Sequence, residues 1–517
     1  MDALAADLQA VADWVTLHVT MWVLIGTGLV LTVRTRVVQV RHLGSMLRQV
    51  LGSRSGAHGG ISSFQAFAIS LAARVGVGNI FGVAAALLLG GPGAVFWMWV
   101  VALVGMATAF FEATLAQLFK VRDPDGSFRG GPAFYMARGM RNRVLAGVYA
   151  VITVVTCGFV ITSVQSNAIA GTLLSAVGTG GSTLPGLGGL SAAQLVIAAL
   201  VLVFTAMVVL GGVRAVARVT EWMAPIMALV YIVMVLVICL THVGEFLTVL
   251  REIITSAFSP RPLVGGLGGG ILAAVINGTR RGLFSNEAGQ GTAPNAAATA
   301  TVTHPVHQGL IQSLGVFIDT IVVCTATAFV ILIAGPEVWQ APGADPSSLT
   351  TMAVAHELGA WTVLPMAVLV FVLAYSSIIA AYVYSDTNMS FLTGGRRWAT
   401  WAVRLLSVLS ATVGALLSLE VVWNAVDIAM AVMTVTNLVA LLALSGWGLG
   451  ALRDWEAQKR AGAAVPVFVA RDNPYLPGPL LGDVWDVATG ENAPQHLRQA
   501  PPATAADTAD TRKEPRP

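Results

Sequence analysis

The hydropathy of this chain rises and falls in runs long enough to cross a lipid bilayer. A helix needs about 20 apolar residues to span about 30 Å of hydrocarbon. The sequence contains eleven such runs, with approximate centres at Ile25, Gly76, Val104, Phe159, Leu202, Ile232, Ile276, Val322, Leu373, Leu409 and Val435. The pattern predicts an all-α polytopic membrane protein with about eleven transmembrane helices.

Glycine-rich stretches interrupt two of these runs, at Arg74–Ile80 (RVGVGNI) and Asn277–Gly282 (NGTRRG). In hydrocarbon an unpaired backbone N–H or C=O costs several kcal/mol, so a chain leaves the helix there only where it is buried in protein or lines a wet cavity. Matched interruptions in two halves of a chain point to the binding site of a transporter, where half-helix ends face a carboxylate or Na⁺. The alternative is that the glycines let helices pack closely.

The interruptions also predict the topology. If the first run is set aside, they fall in the first helix of each of two five-helix groups, and because five is odd the groups are inverted. We therefore predict a 5+5 inverted repeat with one extra N-terminal helix. The predicted units are an extra transmembrane helix and cytoplasmic linker (1–60), a first five-helix repeat (61–264), a second five-helix repeat (265–450) and a partly disordered cytoplasmic tail (451–517).

The amino-acid composition is also typical of a membrane protein. Of 517 residues, 56% are hydrophobic and only 11% are charged, whereas a soluble domain carries about a quarter charged residues. Lys and Arg concentrate after the first, third, fifth, ninth and eleventh runs, so the positive-inside rule predicts an outside N-terminus and a cytoplasmic C-terminus. The net charge of +3 is too small to indicate a nucleic-acid partner. No obligate protein partner is evident.

Other chemistry is not favoured. Cys157, Cys239 and Cys324 each lie in an apolar run and are expected to be free thiols. His304 and His307 lack a third metal ligand, and Pro305 places them at a helix start, which favours capping or solvation. No phosphate loop or nucleophile elbow occurs. We expect neither an enzyme nor an ATP-driven pump, and no cofactor.

Longer motifs resemble a known family. The runs Gly91–Trp99 (GPGAVFWMW), Gly130–Pro132 and Arg281–Gly289 (RGLFSNEAG), with the GxGN of the second apolar run, are similar to the alanine or glycine:cation symporter family of prokaryotic amino-acid carriers. The resemblance covers roughly residues 60 to 450. It implies a leucine-transporter-like fold in the inner membrane, Na⁺ or sometimes H⁺ as coupling ion, and a small neutral amino acid as substrate.

The resemblance also implies site residues. The implied substrate positions are Val75, Gly76, Gly78, Asn79, Gln165, Asn277, Thr279, Phe284 and Ala381. The implied ion-binding positions are Ala73, Gly76, Ser376 and Ser377. Serine oxygens are hard ligands that suit Na⁺, although serines in membrane helices mostly bond to their own backbone. Gln165 needs hydrogen-bond partners inside its apolar run, which a solute or a neighbouring helix can supply.

Three charged residues inside the runs, Arg74, Asp319 and Glu287, are candidates for a charge role. The family usually has threonine at the position of Arg74 and tryptophan at the position of Ala381. The small Ala381 should make the pocket larger, and Arg74 adds a charge that the family usually lacks there. A buried arginine costs about 3 kcal/mol or more and needs a partner or water. It could bind an anionic substrate group, replace the coupling cation in an ion-independent uniporter or exchanger, or pair with a carboxylate. The alternative function from another class of protein is a membrane-embedded enzyme or receptor that does not transport its ligand.

Overall fold

The computed structural model describes most of the chain, namely residues 2–52, 61–123, 126–177, 190–259, 270–417, 419–482 and 484–486. Residues 487–517, the end of the tail predicted to be partly disordered, lie outside these residues, as do residues 178–189 of the first predicted repeat. Within the described residues the protein is mostly helical, as predicted.

Eight helices in the described residues are long and apolar enough to cross a membrane, or nine if the bent pair Ser63–Arg74 and Gly78–Gly90 is one span. The eight are Asp7–Arg34, Gly93–Leu118, Arg143–Ala176, Ala192–Val209, Val213–Thr241, Pro305–Ile333, Ala360–Thr393 and Val426–Arg460. These nine contain nine of the predicted centres. The other two, Ile276 and Leu409, lie in the helices Gly270–Asn286 and Arg397–Gly414, which do not qualify. The count of eleven therefore stays a prediction.

The described residues of the first part of the chain form thirteen α-helices and one short hairpin. The helices are α1 (Asp2–Val15), α2 (Met21–Arg34), α3 (Val38–Arg41), α4 (Leu43–Gly52), α5 (Ser63–Arg74), α6 (Val83–Gly90), α7 (Gly93–Leu118), α8 (Pro132–Arg138), α9 (Arg143–Val155), α10 (Thr162–Val177), α11 (Ala192–Val209), α12 (Val213–Thr241) and α13 (Val243–Ser256). Strands β1 (Val121–Arg122) and β2 (Phe128–Arg129) pair antiparallel between α7 and α8.

Nine further α-helices lie in the part of the chain that the structure describes from residue 270 onward. They are α14 (Gly270–Asn286), α15 (Ala293–Ala297), α16 (Pro305–Val316), α17 (Thr325–Ile333), α18 (Pro336–Trp339), α19 (Pro346–Leu358), α20 (Val363–Thr393), α21 (Arg397–Gly414) and α22 (Leu419–Arg460). Wider π-helical segments lie at Thr16–Thr20, Gly78–Gly82, Thr156–Ile161 and Phe317–Cys324, and a 3₁₀ turn at Ala360–Thr362. Segments of this kind are frequent at functional sites.

Local sequence explains where α5 begins. The Ser62 hydroxyl accepts a hydrogen bond from the Gln65 backbone N–H at 3.1 Å, and the Gln65 side-chain oxygen accepts one from the Ser62 N–H at 3.0 Å. This capping box satisfies two amides that a helix start leaves unpaired. His304 similarly caps α16 through the Val306 N–H, which confirms the capping role predicted for it. All three cysteines are free, also as predicted.

The second interruption was predicted in the wrong place. Helix α14 runs unbroken through Asn277–Gly282 and ends at Asn286. A Cβ on Gly278 would overlap the Ala94 carbonyl oxygen of α7 and lie 2.6 Å from the Trp97 Cβ. The glycines of this stretch therefore serve close helix packing, the alternative reading.

The chain instead leaves the helix at Glu287 and resumes it at α15. Glu287, Gly289 and Gly291 take positive φ angles of 55°, 94° and 83°, which an α-helix cannot accommodate. The interruption thus lies in residues 286–291 (NEAGQG), which overlap the end of the RGLFSNEAG motif. It begins nine residues after Gly278, the first glycine of the predicted interruption.

The described part of the C-terminal tail folds back on the helices. The Phe468 N–H donates to the Thr303 carbonyl at 2.9 Å, and the Trp485 indole N–H donates to the Gln117 carbonyl at 2.8 Å. Phe468 and Trp485 are both almost wholly buried. The described residues of the tail therefore lie across the C-terminal end of α7 and the N-terminal end of α16.

Candidate substrate and ion site

The first interruption is a sharp bend between α5 and the π-helical segment that starts at Gly78. The two half-helices meet at 46°. The Gly76 N–H donates to the Asn79 side-chain oxygen at 2.9 Å, and the Val77 N–H donates to the Gln165 side-chain oxygen at 3.3 Å. Gln165, which α10 supplies, thus satisfies one amide that the bend frees. Two of the residues expected in the site, Asn79 and Gln165, hold this main chain in place.

Asn79 also joins the two interrupted helices. Its amide nitrogen lies 3.0 Å from the Ser285 hydroxyl, near the end of α14, and 2.6 Å from a carboxylate oxygen of Asp319. The Ser285 hydroxyl donates to the other Asp319 oxygen at 2.6 Å, and Thr320 donates to it at 2.8 Å. Asp319 is fully buried. Three neutral donors therefore surround this carboxylate at the junction of the two interruptions.

Carboxylates and amides also hold the second interruption. Glu112 on α7 accepts a hydrogen bond from the Gly291 N–H at 2.9 Å, and the Asn437 amide on α22 donates to both Glu112 and the Gly289 carbonyl. Glu287 accepts from the Thr292 hydroxyl at 2.7 Å. Glu287 is thus placed within the interruption, where it supports the non-helical backbone.

The tandem serines of α20 face the last turn of α5. The Ser377 hydroxyl lies 3.0 Å from the carbonyl oxygens of both Ala72 and Ala73, and the Ser376 hydroxyl lies 3.0 Å from that of Ala72. A Cβ on Gly76 would overlap the Ser377 hydroxyl, so only glycine permits this approach. The C-terminal end of a helix carries partial negative charge. Four oxygens of the kind that bind Na⁺ thus lie close together between α5 and α20.

An aromatic side chain covers the first interruption. Phe284 packs directly on Gly78, where a Cβ would come within 2.9 Å of its ring, and stacks obliquely on Trp423 of α22 with ring centroids 4.9 Å apart. Gly76, Gly78, Asn79, Gln165 and Phe284 are therefore brought together.

The remaining predicted positions are less central. Asn277 lies near the end of α6, where its amide donates to the Leu89 carbonyl at 3.3 Å, and it takes no part in the cluster around Gly76. The Thr279 hydroxyl is buried without a hydrogen-bond partner among the described residues. Ala381 is buried one turn beyond Ser377 on α20, and Val75 is buried at the bend itself.

Arg74 is buried at the end of α5, with only 1% of its surface exposed. Its Nη1 donates to the Gln312 carbonyl at 3.1 Å, while Nε and Nη2 have no hydrogen-bond partner among the described residues. Arg74 thus places a positive charge at the first interruption, and no ion pair joins it to a carboxylate among the described residues.

Sequence reasoning missed Ala72 and Ser285. A backbone carbonyl such as that of Ala72 leaves no trace in residue type, so only its approach to Ser377 identifies it. Ser285 could have been found, because it is the first residue of the SNEAG run.

Two interrupted helices that meet inside a helical protein are typical of the leucine-transporter-like fold. The crystal structure of MhsT in complex with L-phenylalanine shares the fold, with a TM-score of 0.54 and 16% identity, over 76% of this chain and 91% of that one.

The sodium:alanine symporter family model matches residues 1–470, and the chain belongs to this family. It is 40% identical over 465 residues to the amino-acid carrier protein AlsT of Bacillus subtilis, which covers 90% of this chain and 94% of that protein. It is also 40% identical to the probable sodium/glutamine symporter GlnT of the same organism, over 86% of this chain and 89% of that protein. The resemblance found in the motifs is thereby confirmed.

Proposed function

We propose that the protein carries a small neutral amino acid into the cell together with Na⁺, by alternating access, in the inner membrane of a prokaryote. The observation that carries this proposal is the contact of Asn79 with Ser285, because it brings two interrupted helices face to face. The freed main-chain groups there offer both polarities that a zwitterion and a cation require. The proposed orientation has the N-terminus outside.

The proposed substrate pocket lies between the bend at Gly76 and Phe284. The Val77 N–H, now bonded to Gln165, is a donor that a substrate carboxylate can take over. Alanine and glutamine are the first substrates to test, since the family and GlnT are named for them. The small Ala381 favours the larger of the two.

The proposed ion site consists of the Ala72 and Ala73 carbonyls with the Ser376 and Ser377 hydroxyls. Rotation of the two serine hydroxyl protons away from the carbonyls would leave lone pairs of all four oxygens available to one cation. One charge moving inward through 100 mV releases about 2.3 kcal/mol, which supports roughly a forty-fold substrate gradient. Na⁺ coupling at this site is therefore sufficient for uptake.

Uptake of labelled alanine and glutamine into proteoliposomes, with Na⁺ or K⁺ outside, tests the proposal. We expect uptake to need Na⁺ in the wild type, and Ser377→Ala to raise the Na⁺ concentration for half-maximal uptake about tenfold or more, as the loss of one ligand worth about 1.4 kcal/mol would. Ser385→Ala is the matched control, because Ser385 is buried on the same helix and its hydroxyl donates to the Ala381 carbonyl of its own helix rather than to a carbonyl of α5.

Uptake that is equal in Na⁺ and K⁺ would instead favour an ion-independent uniporter or exchanger. Binding of either amino acid without counterflow of labelled solute would speak for a receptor and against any carrier.

A further inference from the structure

The N-terminal helix approaches the substrate pocket through a row of alternating charges. The Arg280 guanidinium donates to an Asp13 carboxylate oxygen of α1 at 2.6 Å, and its Nε lies 3.5 Å from Asp427 of α22. Arg281 is bound to the same Asp427 oxygen at 2.8 Å. We call these four residues, Asp13, Arg280, Arg281 and Asp427, the charged cap.

The charged cap stands directly over the aromatic cover of the first interruption. The Arg281 guanidinium lies 5.0 Å from the centre of the Trp423 ring, and Trp423 stacks on Phe284, which covers Gly78. Gly82, one turn past Gly78, faces both Phe284 and the Arg281 side chain. Any movement that uncovers Gly78 from this side must therefore disturb the cap.

The cap is electrically neutral only if α1 is counted. Arg280, Arg281 and Asp427 are all deeply buried and together carry one net positive charge, which Asp13 cancels. The Asp13 side chain is 49% exposed, so it reaches from the surface to the buried arginine. Removing one partner of a buried pair is strongly destabilising, because the other charge stays in a medium of low dielectric.

The N-terminal helix supplies a second contact to the same guanidinium. The Thr16 hydroxyl, which is buried at the start of the π-helical segment after α1, lies 3.4 Å from Arg280 Nη2. The helix also packs against α22, which carries both Trp423 and Asp427. The extra helix thus contacts the charged cap through Asp13 and Thr16. It also packs against α22, which supplies Trp423 to the aromatic cover.

We propose that the N-terminal helix is a working part of the gate on its own side of the membrane, with Asp13 holding Arg280 so that the closed gate carries no net charge. The inference rests on the proposed transport function and adds a positioning residue from outside the two predicted five-helix groups. When Asp13 is neutralised, the charged cap carries one net positive charge. Opening of the gate lets water solvate that charge, so the population of the open state rises.

Native Cys324 offers a reporter of opening, because its sulfur lies 3.0 Å from the Ser285 hydroxyl, beneath the cover. The experiment uses full-length Cys157→Ala/Cys239→Ala protein in proteoliposomes, labelled from outside with a membrane-impermeant methanethiosulfonate and read by mass spectrometry. We expect Asp13→Asn to speed Cys324 modification about tenfold, the effect of a shift of about 1.4 kcal/mol in the gate equilibrium. Asp13→Glu keeps the charge and should restore the slow rate.

Two further variants separate charge balance from loss of structure. Asp13→Asn/Arg280→Gln leaves the neutral pair of Arg281 and Asp427 and should return modification toward the starting rate, a non-additive result. Asp7→Asn, an exposed carboxylate on the same helix, should leave the rate unchanged. Modification of Asp13→Asn at the starting rate, or an equal effect of Asp7→Asn, would overturn the inference.

Failure of this inference is distinguishable from failure of the proposed function. Labelled alanine uptake by the same liposomes tests transport directly. Uptake with Cys324 modification unaffected by Asp13 would leave a carrier whose N-terminal helix does not gate. Gated modification of Cys324 without uptake of alanine or glutamine would retain the gate and reject the substrate.

Discussion

The Asn79 amide nitrogen lies 2.6 Å from the Asp319 carboxylate, and this contact joins the first interruption to the long helix formed by α16 and α17. Asp319 accepts further hydrogen bonds from Ser285 and Thr320. The carboxylate therefore collects donors from three separate stretches of chain at the proposed site.

Replacing Asp319 with asparagine should damage both stability and transport. One acceptor oxygen becomes an NH₂ donor that faces other donors, at a cost of about 1–3 kcal/mol for a buried group left unsatisfied. We expect a lower melting temperature of the purified protein and little uptake in proteoliposomes. The control is Asp472→Asn, at an exposed position whose φ of 55° asparagine tolerates. Normal uptake by Asp319→Asn would show that the carboxylate has no part in the site.

Gly76→Ala should impair transport through the ion site. The new methyl group would overlap the Ser377 hydroxyl and lie 3.4 Å from the Gln165 side-chain oxygen, so the serine must move from the α5 carbonyls. We expect the Na⁺ requirement of uptake to rise steeply. Gly147→Ala on α9 is the control, since no atom lies within 4 Å of its added Cβ and alanine favours helix by about 0.5–1 kcal/mol. A Gly76→Ala carrier with wild-type Na⁺ dependence would contradict the proposed ion site.

Gly278→Ala should cost stability with little direct effect on the site. Its Cβ would overlap the Ala94 carbonyl, and overpacking of this kind costs about 1–3 kcal/mol. We expect thermal melting to fall, while uptake per folded protein stays near normal. Gly26→Ala, in α2 with no atom within 4 Å, should melt at or slightly above the temperature of the wild type. Lost uptake at unchanged stability would restore the interpretation of this stretch as a substrate-binding interruption.

Arg74→Thr tests whether the arginine replaces the coupling cation. Since Arg74→Thr removes the hydrogen bond to the Gln312 carbonyl and the packing of a long buried side chain, we expect the melting temperature of the purified protein to fall. Arg74→Lys keeps the charge and should lose less. With Na⁺ bound at the serines, uptake by both variants should keep its Na⁺ dependence. Sodium-independent uptake in the wild type that becomes sodium-stimulated in Arg74→Thr would show replacement instead.

The sequence alone determined the membrane class, most of the helices and the first interruption. A long apolar run indicates a membrane span whatever its position in the chain. Nine of the predicted centres accordingly lie in the helices that are long and apolar enough to cross a membrane. The bend at Gly76 was also found from sequence, because G-x-G in an apolar run is a local signal that needs no knowledge of neighbours. The RGLFSNEAG run and the other quoted motifs were sufficient to indicate the family, although not to say how their backbone runs.

Only the tertiary structure decided the second interruption and the charged cap. Glycines in NGTRRG and in NEAGQG carry the same local freedom, and α7 determines which stretch bends. It packs against Gly278, where a straight helix fits closely, and it offers Glu112 to the Gly291 N–H, where the helix has ended. Asp13 and Arg280 meet for the same reason, since residues so far apart in the chain are joined only by the packing of helices. Local propensity sets what a segment can do, and contacts with distant elements select which of these conformations lowers the free energy.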